Sequence, residues 1–236
     1  MRPASDYIVF PLDLPSADEA KRFVRLLTGR VGMFKVGLEL FISAGPEIVR
    51  FIREEAGARV FLDLKLHDIP ATVSRAVDRI AGLGVSLATV HCGETPRMLE
   101  AAAAAAGDRV GILGVTLLTS VSGSDLAGAG FTDDLAEDPA ALVSRRAAAA
   151  HSAGCAGVIC SGLEAREIKT RFGPGFLAVT PGIRPAFDLS AGDDQRRVTT
   201  PAQAVRDGAD YLVIGRPIRD AADPADAAAR IAGEIA

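Results

Sequence analysis

Tryptophan is absent, and only three cysteines occur in 236 residues. Cys92, Cys155 and Cys160 cannot all pair within one chain and lack the spacing of a metal site, so a disulfide framework is excluded and reduced structural thiols are expected. No run of about 18 or more strongly apolar residues is present, which leaves no candidate transmembrane span. The N-terminal Met-Arg-Pro-Ala-Ser-Asp leads into a strand-like segment without the apolar stretch of a signal peptide, and a soluble, unexported, cytoplasmic protein is expected. A formal net charge of −4 with no basic run removes the footprint of a nucleic-acid or membrane-surface binder. An anionic ligand has to be held by local charges. Lysine is scarce too: Lys21, Lys35, Lys65 and Lys169 are the only four among 26 basic residues. Two of them, Lys35 and Lys65, fall on expected core strands, where a compact, titratable ammonium differs in kind from a guanidinium.

What is present is a core. Hydrophobic residues make up 49% and charged residues 24%, a balance that fits a globular enzyme. Short apolar or β-branched runs near 7–12, 32–37, 59–66, 85–91, 109–117, 157–161, 176–180 and 211–215 are each followed by a helix-like stretch, as at 16–27, 46–55, 70–81 and 139–153. Such alternation indicates a parallel sheet covered by helices. An open doubly wound sheet competes, but no glycine-rich dinucleotide fingerprint follows the first strand, and the length approaches the roughly 250 residues of a closed barrel. The expected fold is an α/β TIM (β/α)8 barrel forming a single domain over 1–236. Two connections are long, about 118–138 and 181–199, and in a barrel both lie on the C-terminal face where catalytic sites sit. The alanine runs at 101–106 and 147–150 read as helix surface and close-packing filler.

Residues 61–72, Phe-Leu-Asp-Leu-Lys-Leu-His-Asp-Ile-Pro-Ala-Thr, place three charges at the end of an otherwise apolar strand. By two-residue alternation Leu62, Leu64 and Leu66 share one face, while Phe61, Asp63, Lys65 and His67 share the other. Taking an isolated charge out of water costs several kcal/mol or more, so Asp63, Lys65 and Asp68 are expected to pair with each other or with a ligand. Flanking carboxylates favour the ammonium form of Lys65, which makes it a proton donor and a poor Schiff-base nucleophile. Lys35 ends the second strand and Asp13 the first, so an alternating chain of Asp and Lys charges around one barrel end is expected. Gly215 and Arg216 follow the eighth strand, where barrels commonly bind phosphate, and Arg184 and Gln195 lie in the preceding long loop. His67 and His91 stand near strand ends beside carboxylates, but the two lysines occupy the space a divalent cation would need, so structural roles and no metal are expected. Cys92 reads as an apolar filler, with no base evidently paired to it.

The ordered set formed by 61–70, Lys-Val-Gly-Leu-Glu-Leu-Phe at 35–41, Leu-Thr-Ser at 118–120, Thr-Pro-Gly-Ile-Arg at 180–184, Asp-Asp-Gln-Arg-Arg-Val at 193–198 and Gly-Arg-Pro-Ile at 215–218 resembles the bacterial orotidine 5′-phosphate decarboxylases over nearly the whole chain. The resemblance implies conversion of orotidine 5′-monophosphate to uridine 5′-monophosphate in pyrimidine biosynthesis, without cofactor or metal, by a homodimer of barrels. It implies that Lys65 protonates C6 of the pyrimidine and that Asp63 sits against the substrate carboxylate. Asp13 and Lys35 would contact the ribose hydroxyls, and Asp68 and Thr72 would enter from the neighbouring subunit. Ile69, Thr119 and Pro181 would line the substrate site, while Arg184, Gln195, Gly215 and Arg216 would hold or cover the phosphate. The chain departs from the family at Pro11, where alanine is usual, and at His91-Cys92-Gly93-Glu94, which replaces a more glycine-rich segment.

Two alternatives stay open. Metal-dependent barrels acting on sugar phosphates share an Asp-x-Lys-x-x-Asp strand, but place an acidic metal ligand at the second strand end, where Lys35 stands here. A non-catalytic phosphate-binding barrel would bind ligand without turnover.

Overall fold

A computed structural model of the chain describes residues 2–93, 95–187 and 198–236. The eight expected apolar segments form β1 (Ile8–Pro11), β2 (Met33–Gly37), β3 (Val60–Leu66), β4 (Leu87–His91), β5 (Gly111–Val115), β6 (Gly157–Ile159), β7 (Leu177–Thr180) and β8 (Tyr211–Val213). They pair in parallel, in chain order, and β8 returns to β1, so the sheet closes into a (β/α)8 barrel and the open-sheet competitor is excluded.

Closure creates two cores. Val9, Met33, Phe61, Leu87, Leu113 and Val179 point inward and fill the barrel, joined by partly buried Ile159, Leu177, Tyr211 and Val213. Their neighbours of opposite parity, such as Phe10, Phe34, Leu62, Ile112 and Val158, face the helical shell. A strand buried on both faces has no polar alternation, which is why these segments read as continuous apolar runs. Each large side chain so buried contributes about 1.5–3 kcal/mol.

The helices start where their capping chemistry is written. Ser16 accepts the Glu19 amide at 3.2 Å and opens Ala17–Leu27, whose Ala20, Phe23, Val24 and Leu27 form the buried stripe. Asp138 and Asp223 cap Pro139–Ser152 and Pro224–Ile235, each with proline in the first turn.

Two expectations need correction, and two features were not anticipated. The helix expected over 46–55 is an α-helical turn, Glu47–Arg50, running into a π-helical turn, Phe51–Glu55, in which the Ala56 amide bonds to the Phe51 carbonyl and both Phe51 and Ile52 turn inward. A helix over Leu38–Ala44 follows β2 directly; it buries only Leu40, so it has no apolar stripe to read. The stretch 118–138 is not a bare loop but holds two short helices, Gly123–Gly128 and Asp133–Glu137, the first closed by a reciprocal Ser122–Asp125 capping box. The alternation of β3 holds: Leu62, Leu64 and Leu66 pack on the helix side, and Phe61, Asp63 and Lys65 turn to the barrel interior and its mouth, but the backbone is irregular at Lys65. There the pairing with β4 shifts register and the backbone turns left-handed, with φ of 50°.

Candidate active site

The C-terminal ends of the first three strands bring four charges together. Lys35 Nζ donates to Asp13 Oδ1 at 3.0 Å and lies 3.5 Å from Asp63 Oδ2, the same oxygen that accepts from Lys65 Nζ at 2.8 Å. The other Asp63 oxygen accepts from the Thr89 hydroxyl at 2.9 Å. Two carboxylates and two ammoniums therefore balance in one connected network, with Lys35 and Asp63 buried and Asp13 largely open to solvent. Space is tight: a Cβ at position 37 would stand 3.2 Å from both Asp13 Oδ1 and Lys35 Nζ, so Gly37 lets the pair form. Burial alone would raise the Asp63 pKa, but the charges of Lys35 and Lys65 and hydrogen bonds from Lys65 and Thr89 outweigh it and hold the carboxyl below its ordinary value. At neutral pH Asp63 is an anion.

Lys65 is the sole non-glycine residue at positive φ among the described residues. That conformation costs an L-residue about 1–2 kcal/mol, and strain of this kind concentrates at functional sites.

These groups line a cavity of about 490 Å³, a volume suited to a small ligand. Its walls include the expected Asp13, Lys35, Asp63, Lys65, Thr119, Pro181, Arg184, Gly215 and Arg216. Phe61, Val115, Ile159 and Val213 give it an apolar floor continuous with the barrel core. Gly215 packs closely on Pro11, whose Cγ lies 3.0 Å from where a Cβ would be, so a larger residue there would push one of the two aside. The loop carrying Arg184 is held at its base by an Ile183–Thr199 bridge, in which the Arg184 amide donates to the Thr199 carbonyl at 2.9 Å.

The structure does not gather every expected residue. Asp68 and Ile69 are exposed, Thr72 is half-buried, and none of the three lines the cavity. Asp68 Oδ1 instead accepts the Ile69 amide at 2.6 Å. Gln195 and Glu94 lie outside the described residues. Two polar contributors were not anticipated. Thr89 is buried against Asp63, and its only sequence signal is a hydroxyl at the inward parity of a strand. Arg219 lines the cavity one helical turn after Arg216 and donates to the Asp13 carbonyl at 3.4 Å.

His67 and His91 stand with ring centroids 5.6 Å apart. Burial, then electrostatic interaction with His67, Lys65 and Arg146, lowers the His91 pKa, so its ring is neutral at pH 7. Among the described residues no group of three or more His, Cys, Asp or Glu is placed to hold a metal ion. All three cysteines are buried and in no disulfide, and burial pushes the thiols of Cys92 and Cys155 up to about 12, which leaves them unreactive.

Fold and mouth together define a (β/α)8-barrel enzyme whose pocket is lined by a preformed Asp/Lys network and by three arginines, Arg184, Arg216 and Arg219. A family model described as orotidine 5′-phosphate decarboxylase / HUMPS family matches residues 6–231, and the chain belongs to that family. It is 54% identical over 235 residues to the orotidine 5′-phosphate decarboxylase of Desulfosudis oleivorans, covering 99% of this chain and 94% of that one. Identity to the orotidine 5′-phosphate decarboxylase of Anaeromyxobacter sp. (strain K) is 47%, with both chains covered completely. The crystal structure of orotidine 5′-phosphate decarboxylase from Lactobacillus acidophilus superposes with a TM-score of 0.78 at 32% identity, covering 97% of this chain and 98% of that one.

Proposed function

We propose that the protein decarboxylates orotidine 5′-monophosphate to uridine 5′-monophosphate and CO2 in pyrimidine biosynthesis, using no metal or cofactor. One observation carries the reading: a buried carboxylate, Asp63, shares one oxygen between two ammoniums inside a cavity whose other walls bear arginines. The substrate has the matching layout, with a carboxylate on the base and a phosphate at the far end.

Breaking the C6–carboxylate bond leaves its electron pair in the plane of the pyrimidine ring, where the π system cannot delocalise it. Positive charge and a proton close to C6 are what this transition state needs, and the Lys65 ammonium supplies both. Asp63 stands against the substrate carboxylate, so departure of CO2 relieves a like-charge contact as it holds Lys65 in place. Asp13 and Lys35 take the ribose hydroxyls, Thr119 and Pro181 border the base, and Phe61, Val115, Ile159 and Val213 keep water from the ring. Arg184, Arg216 and the Gly215 backbone hold the phosphate, with Gln195 joining them from its loop. Binding energy from that distant group orients the reacting end.

Asp68, Ile69 and Thr72 serve the neighbouring site in a homodimer. Their exclusion from the cavity of their own chain supports this, as does apolar surface at the same barrel end, where Leu38, Ile42 and Ile69 are 49%, 79% and 65% exposed. The enzyme works in the cytoplasm; among the described residues no helix is long and apolar enough to cross a membrane.

The test is loss of orotidine 5′-monophosphate ultraviolet absorbance in excess chelator, beside a Lys65→Ala control. Conversion by the wild type alone is expected. A folded protein that is inactive until a divalent metal is added, and then acts on sugar phosphates, would replace this reading with the metal-dependent one.

A further inference from the structure

Thr89 occupies the middle of β4, at the same inward parity as Leu87 and one layer nearer the mouth. It is 1% exposed, and the proposed reaction gives it no contact with substrate. Its hydroxyl nevertheless joins the two groups on which that reaction depends. The Lys65 amide donates to Thr89 Oγ1 at 2.8 Å, and Thr89 Oγ1 lies 2.9 Å from Asp63 Oδ1. Since the amide brings its own hydrogen, the hydroxyl hydrogen is committed to the carboxylate. The direction of the chain is thus fixed, from Lys65 N–H to Thr89 O–H to Asp63, and each bond polarises the next.

The placement matters because β3 leaves the regular ladder here. Its register against β4 shifts between Leu62 and Leu66, and Lys65 is left-handed without being glycine. A backbone in that region persists only where its surroundings over-determine it. The hydroxyl of Thr89 meets the Lys65 amide at the point of irregularity. It also occupies Asp63 Oδ1, so that Oδ2 alone is left to meet the ammoniums of Lys35 and Lys65.

We propose that Thr89 is a positioning residue: one hydroxyl holds the left-handed backbone of Lys65 and the orientation of the Asp63 carboxylate, and so aims the Lys65 ammonium into the cavity. This rests on the decarboxylase reading for its kinetic consequence, and on geometry alone for its structural one. A hydroxyl serving only the packing of β4 would affect folding without separating chemistry from binding.

Thr89→Val keeps the shape and removes the hydroxyl, whereas Thr89→Ser keeps the hydroxyl and removes a methyl group. Turnover of orotidine 5′-monophosphate, calorimetric binding of uridine 5′-monophosphate, thermal melting and a crystal structure are measured for both. The expected result is a kcat lowered roughly 10- to 100-fold in Thr89→Val, the scale of a misplaced catalytic group. Product affinity should change by less than about fivefold, and Thr89→Ser should recover kcat to within about fivefold of wild type. In the Thr89→Val crystal, Lys65 should have left positive φ or lost its contact with Asp63 Oδ2. Unchanged kcat in Thr89→Val overturns the proposal, as do equal losses in Val and Ser or a Lys65–Asp63 geometry that survives intact. Should Thr89→Val melt below the assay temperature, Thr89→Ala carries the same comparison with Ser. A wild type that does not turn over the substrate would sink the decarboxylase reading instead, and the crystal structure would still decide whether Thr89 holds Lys65.

Discussion

The two ends of the barrel handle charge in opposite ways. At the N-terminal end the Arg2 guanidinium is stacked between Tyr7 and Tyr211, 4.4 and 4.5 Å from their ring centroids, and donates to the carbonyls of Asp6 and Asp210. Arg59 adds a second cation there, with Nε on the Gly32 carbonyl at 3.0 Å. Those donors meet fixed backbone acceptors and π faces, so the protein itself satisfies them. At the C-terminal end the charges are linked to one another and also open onto a cavity. The lesson is that a cationic side chain beside a barrel mouth signals function only when groups of the chain leave it something to bind. Arg2 is bound by backbone carbonyls and tyrosine rings of its own chain, whereas Lys65, paired with Asp63, also lines an open cavity.

Substitutions at the two ends should therefore differ in kind. The largest effect is expected from Lys65→Ala, which should lower turnover by roughly 10³-fold or more while uridine 5′-monophosphate binding stays measurable, because a proton donor and an electrostatic stabiliser go together. Substantial residual turnover would remove Lys65 from the proton-donor role. Mixing this variant with Asp68→Ala should restore about a quarter of the wild-type sites if subunits exchange randomly and share sites; no recovery in demonstrated mixed dimers would assign Asp68 to its own chain.

Next comes the arginine side of the pocket. Arg216→Ala should reduce kcat/KM by roughly 10- to 100-fold toward orotidine 5′-monophosphate, the scale of one charge-assisted contact. The same change should matter little toward the substrate lacking its phosphate; equal losses on both would separate Arg216 from phosphate binding.

Acid provides a milder probe of the network. Because Asp63 is held below its ordinary value of 3.8 in the folded state, its stabilisation is present above about pH 4 and is lost as pH falls through the lower folded value. His91, lowered from 6.5, acts in the same direction at higher pH, since acid protonates it more readily in the unfolded chain. Chemical denaturation followed against pH should show stability falling in acid, with the Asp63→Asn curve lower at neutral pH and converging on wild type below pH 4. Parallel curves would deny Asp63 this role.

The smallest effect belongs to the closed end. Arg2→Ala should lower the melting temperature by a few degrees, from the loss of about 1–2 kcal/mol of cation–π and hydrogen-bond energy, and leave kcat unchanged. A kcat loss without destabilisation would mean that the two ends communicate.

How far these differences were legible depends on their range. The Asp-x-Lys strand end was visible because charge interrupts an apolar run, and Gly215-Arg216 because they follow a strand. The helix at Leu38–Ala44 was hidden, since its exposed Leu38 and Ile42 face away from its own core. Thr89 was hidden for another reason: a threonine is ordinary in a strand, and its partners are 24 and 26 residues away.

By itself, the sequence determined the parts that are local or periodic. Runs that are apolar on both faces dictate strands buried on both sides, caps dictate helix starts, and the spacing of Asp13, Lys35, Asp63 and Lys65 on successive strand ends dictates that they meet once a barrel forms. Only the tertiary structure decided which charges pair, that β3 leaves its register at Lys65, and that Asp68 lies outside the cavity that Asp63 and Lys65 line. These are outcomes of closure. Fitting eight twisted strands around one axis sets side-chain directions and distances to within an ångström, and no preference carried by a residue or its near neighbours encodes that scale.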